Sequence, residues 1–302
     1  MSIMDILYLH VIPWVLRFVM VGLGLTLTLA DLKRVLVFPK AVVVGLAGQL
    51  ILLPFLAFVL ALLLAPTPEI AVGIIILAAC PGGVTSNAYV FAARADVALS
   101  VTLTAVSSFI TVLTIPTLTY IALQVFMQQG EVPELPVLQM FQTLATFTVV
   151  PIAIGMSLRA IWPAAVQIVI ETLRRVTVAV LMFVIVAAAV SSYELILTYF
   201  LQASLLVVGL NLLSMLMGYG LARGAKLNTS QSVTITYEIG LQNLTLALLI
   251  TLTLLRNESL AITTLLYAVV MPATAMAFIA IARRMLISEE SAPDREEELI
   301  GL

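Results

Sequence analysis

The chain has 302 residues, of which 62 % are hydrophobic and 10 % charged, with a net charge of −2. A soluble domain carries about 25 % charged residues, so this composition cannot cover a water-facing surface and makes the lipid bilayer the partner of the chain. The charge balance gives no footing for nucleic acid, and a lone cysteine, Cys80, excludes an intramolecular disulfide.

A crossing helix needs roughly 20 apolar residues. Nine candidates are predicted, at about 8–30, 41–65, 70–93, 97–127, 137–162, 176–192, 196–222, 229–255 and 259–287. The opening "MSIMDILYLH" lacks a basic stretch and a small-residue cleavage site, so no signal peptide is expected. Span 1 carries Arg17, which either snorkels to the outer surface or faces a cavity and attracts an anion. Gln49 is the one amide in span 2. Span 3 is interrupted by "CPGGVTSN" (80–87) and span 8 by "TYEIGLQNLT" (236–245). On span 4, Ser100 and Thr104 are spaced i, i+4 and share one helix face. Residues 288–302, acidic and without an apolar run, form an expected cytoplasmic tail behind a single transmembrane unit, 1–287.

Pro and Gly end helices, and the backbone groups they free survive in hydrocarbon only where protein or a water-filled cavity satisfies them. Spans 3 and 8 are five apart and so cross in opposite directions. Asn87 precedes Pro116 by 29 residues, and Asn243 precedes Pro272 by 29. An inverted pair of interrupted helices is the sequence pointer to a secondary transporter's binding site. The expected fold is therefore an all-α, polytopic membrane protein of nine transmembrane helices with an inverted-topology repeat.

Glu238 is the one acidic residue deep inside a span. An ionised carboxylate there costs several kcal/mol unless paired. It is protonated, pairs with the distant Arg17, or binds a metal cation. Ser86 and Asn87 follow the first break, Gln242 and Asn243 the second. Oxygen ligands of this kind suit a hard cation, and there is no His or Cys cluster for a transition metal. The half-helix ends at Gly82, Gly83, Asn87 and Asn243 are candidates for contact with an organic anion. Twelve of the fourteen Lys and Arg residues fall in the loops on one side, which the positive-inside rule assigns to the cytoplasm, with the N-terminus outside and the C-terminus inside the cell membrane.

With these residues the chain resembles the bile acid:sodium symporter family. The match runs from "GLGLTLTLADLKRVL" (22–36) through "CPGGVTSN" and "ADVALSVTLTAVSS" (95–108) to "YEIGLQNLTLAL" (237–248). The resemblance implies a panel of spans 1, 5 and 6 beside a core of spans 2–4 and 7–9, in which the two broken helices cross. It also implies two Na⁺ ions as coupling cofactors. The first would be held by Ser86, Asn87, Ser100, Thr104 and Glu238. The second would take Gln49, Glu238, Gln242 and the backbone carbonyls of Ile239 and Leu241. The implied activity is sodium-coupled import of a small organic anion, bile-acid-like, pantoate-like or a keto acid, by alternating access. Val84 stands where some relatives have Thr, and Met271-Pro272 where a relative has His-Asn. Some bacterial members have ten helices, and this chain is expected to start at their second. A proton-coupled carrier and an arsenite- or auxin-type exporter, for which Cys80 would supply a thiol, stand as alternatives. No nucleophile–base pair or catalytic metal motif suggests an enzyme, and no protein partner is expected.

Overall fold

The computed structural model describes residues 6–33, 39–127 and 137–290. They are helical throughout, and the only β-type contact among them is an isolated antiparallel bridge between Gly82 and Gln242. In chain order the helices are α1 (Leu7–Thr26), α2 (Leu29–Lys33), α3 (Pro39–Leu64), α4 (Pro68–Ala79), α5 (Val84–Ala93), α6 (Val97–Phe126), α7 (Val137–Ile161), α8 (Pro163–Ser191), α9 (Tyr193–Gly224), α10 (Thr229–Gly240), α11 (Leu244–Leu254) and α12 (Glu258–Glu290). Seven of these, α1, α3, α6, α7, α8, α9 and α12, are long and apolar enough to cross a membrane. Predicted spans 3 and 8 fall on the two interrupted pairs, α4–α5 and α10–α11.

Local chemistry sets the boundaries. Thr67 caps α4 by accepting the Ile70 N–H, with Pro68 in the first turn. Asp96 accepts the Leu99 N–H and starts α6, and Asn228 does the same for α10 through Gln231. Thr28 and Asp31 form a reciprocal capping box at α2: the Thr28 N–H and hydroxyl both donate to Asp31 Oδ2, and the Asp31 N–H returns to Thr28 Oγ1. Three long helices open into a π turn just before a proline, at Leu7–Val11 before Pro13, Gly48–Leu52 before Pro54 and Ala145–Val149 before Pro151. Proline lacks the N–H and its ring collides with the carbonyl four residues back, so the preceding turn widens.

One predicted boundary is wrong by several turns. Span 6 was expected over 176–192, with Arg174 and Arg175 in a loop, whereas α8 starts at Pro163, with only Trp162 between it and the end of α7. Pro163 presets the first turn, no further Gly or Pro follows, and the charges that suggest a loop are carried on the helix, with Arg175 Nε 3.0 Å from Glu171 Oε1 one turn back. At the other end α12 runs through Glu290, past the expected tail boundary at 288. Residues 291–302 of that tail, and the loop residues Arg34, Glu131, Glu134 and Arg295, lie outside the described residues.

The helices share one hydrophobic core. Helix α1 lies against α7 and α8. At its crossing with α7 the backbones approach so closely that a Cβ on Gly24 would strike the Ile152 carbonyl and one on Gly155 the Val21 carbonyl. Small residues allow this approach in membrane helices, where packing rather than hydrophobic exclusion drives association. Of the interrupted helices, α4 lies among α3, α6 and α12, α10 along α9, and α11 also touches α1.

Candidate functional site

The breaks have different causes. At the first, Cys80 precedes Pro81 and is therefore extended (φ −68°, ψ 155°), and Gly82 and Gly83 follow before α5 begins. At the second there is no proline. Helix α10 ends at Gly240, Leu241 is extended, and Asn243 restarts the chain by accepting the Leu246 N–H. The freed backbone groups satisfy each other across the two breaks: the Gly83 N–H donates to the Leu241 carbonyl (2.7 Å) and the Asn243 N–H to the Pro81 carbonyl (3.0 Å). The interrupted helices thus meet at their interruptions, which keeps unpaired peptide groups out of hydrocarbon.

Glu238, 1 % exposed, lies one turn before the second break. Ser86 Oγ donates to its Oε2 at 2.9 Å, Ser100 Oγ to Oε2 at 3.3 Å and Thr104 Oγ1 to Oε1 at 2.7 Å. The register that brings them together is fixed one turn away, where the Asp96 N–H donates to Thr234 Oγ1 and that hydroxyl donates to the Asp96 carbonyl. Thr234 and Glu238 share a face of α10, and Asp96, Ser100 and Thr104 continue along the facing line of α6, all at i, i+4 spacing. Gly82 passes directly over the carboxylate, where a Cβ would overlap Glu238 Oε1.

Beside this cluster Gln49, 2 % exposed, bridges both breaks. Its Nε2 donates to the Cys80 carbonyl and to Gln242 Oε1, each at 2.9 Å, and Gln242 Nε2 donates to the Ile239 carbonyl at 2.7 Å. Three buried polar atoms at the crossing have no hydrogen-bond partner among the described residues: Gln49 Oε1, Asn87 Oδ1 and Asn243 Nδ2. Two are acceptor oxygens, and the Glu238 carboxylate at the same crossing is met by three hydroxyls. Carboxylate, hydroxyl and amide oxygens in this density are what a hard cation requires.

A profile of the Sodium Bile acid symporter family matches residues 13–199, which include Ser86, Asn87, Ser100 and Thr104. The chain is 32 % identical over 228 residues to the probable sodium/metabolite cotransporter BASS1, chloroplastic, of rice (Oryza sativa subsp. japonica), an overlap of 76 % of this chain and 55 % of that protein. The chain belongs to the sodium bile acid symporter family. It is 30 % identical over 230 residues to the sodium-dependent transporter YocS of Bacillus subtilis, covering 76 % of this chain and 69 % of that protein. It is also 25 % identical over 244 residues to the rabbit ileal sodium/bile acid cotransporter, covering 80 % and 69 % respectively. The chain spans about half the length of the chloroplastic relatives that it matches. The relatives are transporters by name and not enzymes, as the sequence implied.

The structure gathers Gln49, Gly82, Gly83, Ser86, Ser100, Thr104, Glu238, Ile239, Leu241, Gln242 and Asn243 at the crossing. The carbonyls of Ile239 and Leu241, expected as ion ligands, each accept one hydrogen bond here and retain a second lone pair. Asn87 stands in the fourth position of α5 whereas Asn243 caps α11, so their matching distances to Pro116 and Pro272 join non-equivalent places. Arg17 is held elsewhere: its guanidinium lies 4.7 Å from the Trp14 ring centroid and 4.2 Å from that of Phe147. The Cys80 thiol is buried and donates back to the Ile76 carbonyl. Asn211 and Tyr267, both fully buried, reach the second break through the Gly240 carbonyl and were not anticipated. The signal for Asn211 was available, because it is an amide inside an apolar span, as Gln49 is.

Proposed function

We propose that the chain is a sodium-coupled symporter that brings a small organic anion across the cell membrane by alternating access. The observation that carries this reading is the Glu238 carboxylate, buried where the two broken helices meet and ringed by the Ser86, Ser100 and Thr104 hydroxyls. One Na⁺ binds among Ser86, Asn87, Ser100, Thr104 and Glu238, which turns the unpartnered Asn87 Oδ1 into a ligand. A second binds among Gln49, Gln242, Glu238 and the Ile239 and Leu241 carbonyls, which similarly employs Gln49 Oε1. Two cations against one carboxylate leave one positive charge beside the ends of α5 and α11, where Gly82, Gly83, Asn87 and Asn243 face the anion. The Asn243 Nδ2, buried with no partner, is a donor suited to an anionic oxygen.

The architecture that we infer has nine crossings, with each interrupted pair counted as one, arranged as two inverted halves. The α1, α7 and α8 group serves as the panel and the remainder as the moving core. The basic loops lie on the cytoplasmic side, with the N-terminus outside and the acidic tail inside. Two Na⁺ with a monovalent anion carry one net charge, worth about 2.3 kcal/mol per 100 mV of membrane potential.

Sodium titration of the melting temperature, followed by anion uptake into proteoliposomes, tests this. Stabilisation by Na⁺ but not by K⁺ or choline is expected, with a Hill coefficient near two, and it should vanish in Glu238→Gln, which keeps the side chain's shape. Uptake that follows pH at fixed Na⁺ and ignores Na⁺ at fixed pH would transfer the assignment to a proton-coupled carrier.

A further inference from the structure

The second break is held by a pair of side chains that the sodium site does not use. Gly240 ends α10, so its carbonyl has no partner further along a helix. Tyr267, on α12, donates its hydroxyl to that carbonyl at 2.8 Å. Asn211, on α9, donates Nδ2 to the same oxygen at 2.9 Å and to the Tyr267 hydroxyl at 3.0 Å. All three atoms form a closed triangle, and both side chains are fully buried. Two donors thus converge on this one oxygen. The neighbouring carbonyls differ: that of Leu241 turns toward Gly83 on the first break and that of Ile239 toward Gln242. The first break has a similar arrangement, in which Gln49 on α3, the long helix preceding the break, donates to the Cys80 carbonyl.

From this we infer that Asn211 and Tyr267 are positioning residues for the sodium site: by holding the Gly240 carbonyl they fix the peptide plane between the Ile239 and Leu241 carbonyls and so set the ligand geometry of the second ion. The inference rests on the two-ion reading above. Neither residue touches an ion. Each acts through the 240–241 peptide, which joins the peptides bearing the Ile239 and Leu241 carbonyls, so holding that plane restricts the dihedrals that orient both. A buried hydrogen bond lost from this carbonyl leaves it free to turn, and at about 0.5–1.5 kcal/mol per bond the apparent sodium affinity falls by about two- to twelvefold.

Tyr267→Phe and Asn211→Leu, compared with wild type, test it by sodium titration of the melting temperature and by the sodium dependence of uptake. The expected result is a sodium half-saturation raised about two- to twelvefold and a Hill coefficient moved toward one, with the same melting temperature in sodium-free buffer and a lower one than wild type once sodium is added. The two effects should be sub-additive, because both variants release one carbonyl. A purely structural role would lower the melting temperature equally with and without sodium and leave the half-saturation unchanged, and that result overturns the inference. If Asn211→Leu does not fold, Tyr267→Phe carries the test, since it removes a single oxygen and keeps the ring. A wild type that is not stabilised by sodium overturns the sodium reading and this inference with it, whereas a responsive wild type with unchanged variants overturns this inference alone.

Discussion

Gly82→Ala is the smallest change that should disable the site. Gly82 lies outside the left-handed region, so alanine meets no backbone strain, and its effect comes from the methyl group. That methyl would overlap Glu238 Oε1 and sit 2.5 Å from Cδ, against about 3.5 Å for carbons in contact. The carboxylate must therefore withdraw by about 1 Å. Its bonds start at 2.7 Å from Thr104, 2.9 Å from Ser86 and 3.3 Å from Ser100, so a shift of that size breaks the longest and at least strains the others. Hydrogen bonds to a charged group are worth about 1.5–3 kcal/mol. A loss of about 2–4 kcal/mol corresponds to a roughly 30- to 700-fold weaker sodium affinity. The assay is sodium half-saturation, read from thermal stabilisation and from uptake into proteoliposomes. Glu238→Asp, one methylene shorter, draws the carboxylate back from the methyl, so the double variant should be no worse than the weaker single one. Wild-type half-saturation in Gly82→Ala, or strictly additive effects in the double variant, would refute the contact on which this reasoning depends.

Two further outcomes follow from the helix packing. Arg17→Gln should leave substrate half-saturation within about twofold and lower the melting temperature by removing a cation–π contact of about 1–2 kcal/mol with Trp14 and Phe147, as measured by uptake and thermal denaturation. Gly155→Leu should abolish the folded peak in detergent gel filtration, because its Cβ would overlap the Val21 carbonyl and lie 2.8 Å from the Leu25 nitrogen, while Gly22→Leu, with nothing within 4 Å, should elute as wild type.

The spans and their interruptions were legible because the bilayer constrains them so tightly: length, hydropathy and a Pro-Gly-Gly step leave few alternatives. Glu238, Ser100 and Thr104 were legible for a related reason, since a polar side chain in an apolar span must be satisfied from somewhere. What the chain does not print is partnership across distance. Nothing local says that Gly83 will face Leu241, or that the gap in α4–α5 is closed by the gap in α10–α11. The start of α8 was hidden for the opposite reason. Glu171, Arg174 and Arg175 read as a loop by composition, yet charges an i, i+4 step apart are compatible with an exposed helical face, and nothing after Pro163 breaks the helix. Arg17 shows a third limit: a charge buried by sequence position is accommodated by two aromatic rings, and only Trp14 is near it in the chain.

The choice of hydroxyls around Glu238 has a physical reason of its own. A lysine or arginine there would neutralise the carboxylate permanently and compete with any ion. Backbone N–H groups would satisfy it but offer an incoming cation nothing. A hydroxyl is both donor and acceptor, and its hydrogen rotates. Ser86, Ser100 and Thr104 donate to the carboxylate in this structure, and the same three oxygens present lone pairs once a cation arrives. The carboxylate is then never left bare in a low-dielectric interior, which would cost several kcal/mol. The donors and the acid also come from different breaks: Ser86 lies just past the first, with Ser100 and Thr104 on the following helix, and Glu238 precedes the second. An ion bound among them is thereby shared between the two interrupted segments, and its binding energy bears on how those segments sit against one another. A difference in ion affinity between arrangements of the crossing is what a coupled carrier requires, because a ligand shifts a conformational equilibrium only by its differential affinity.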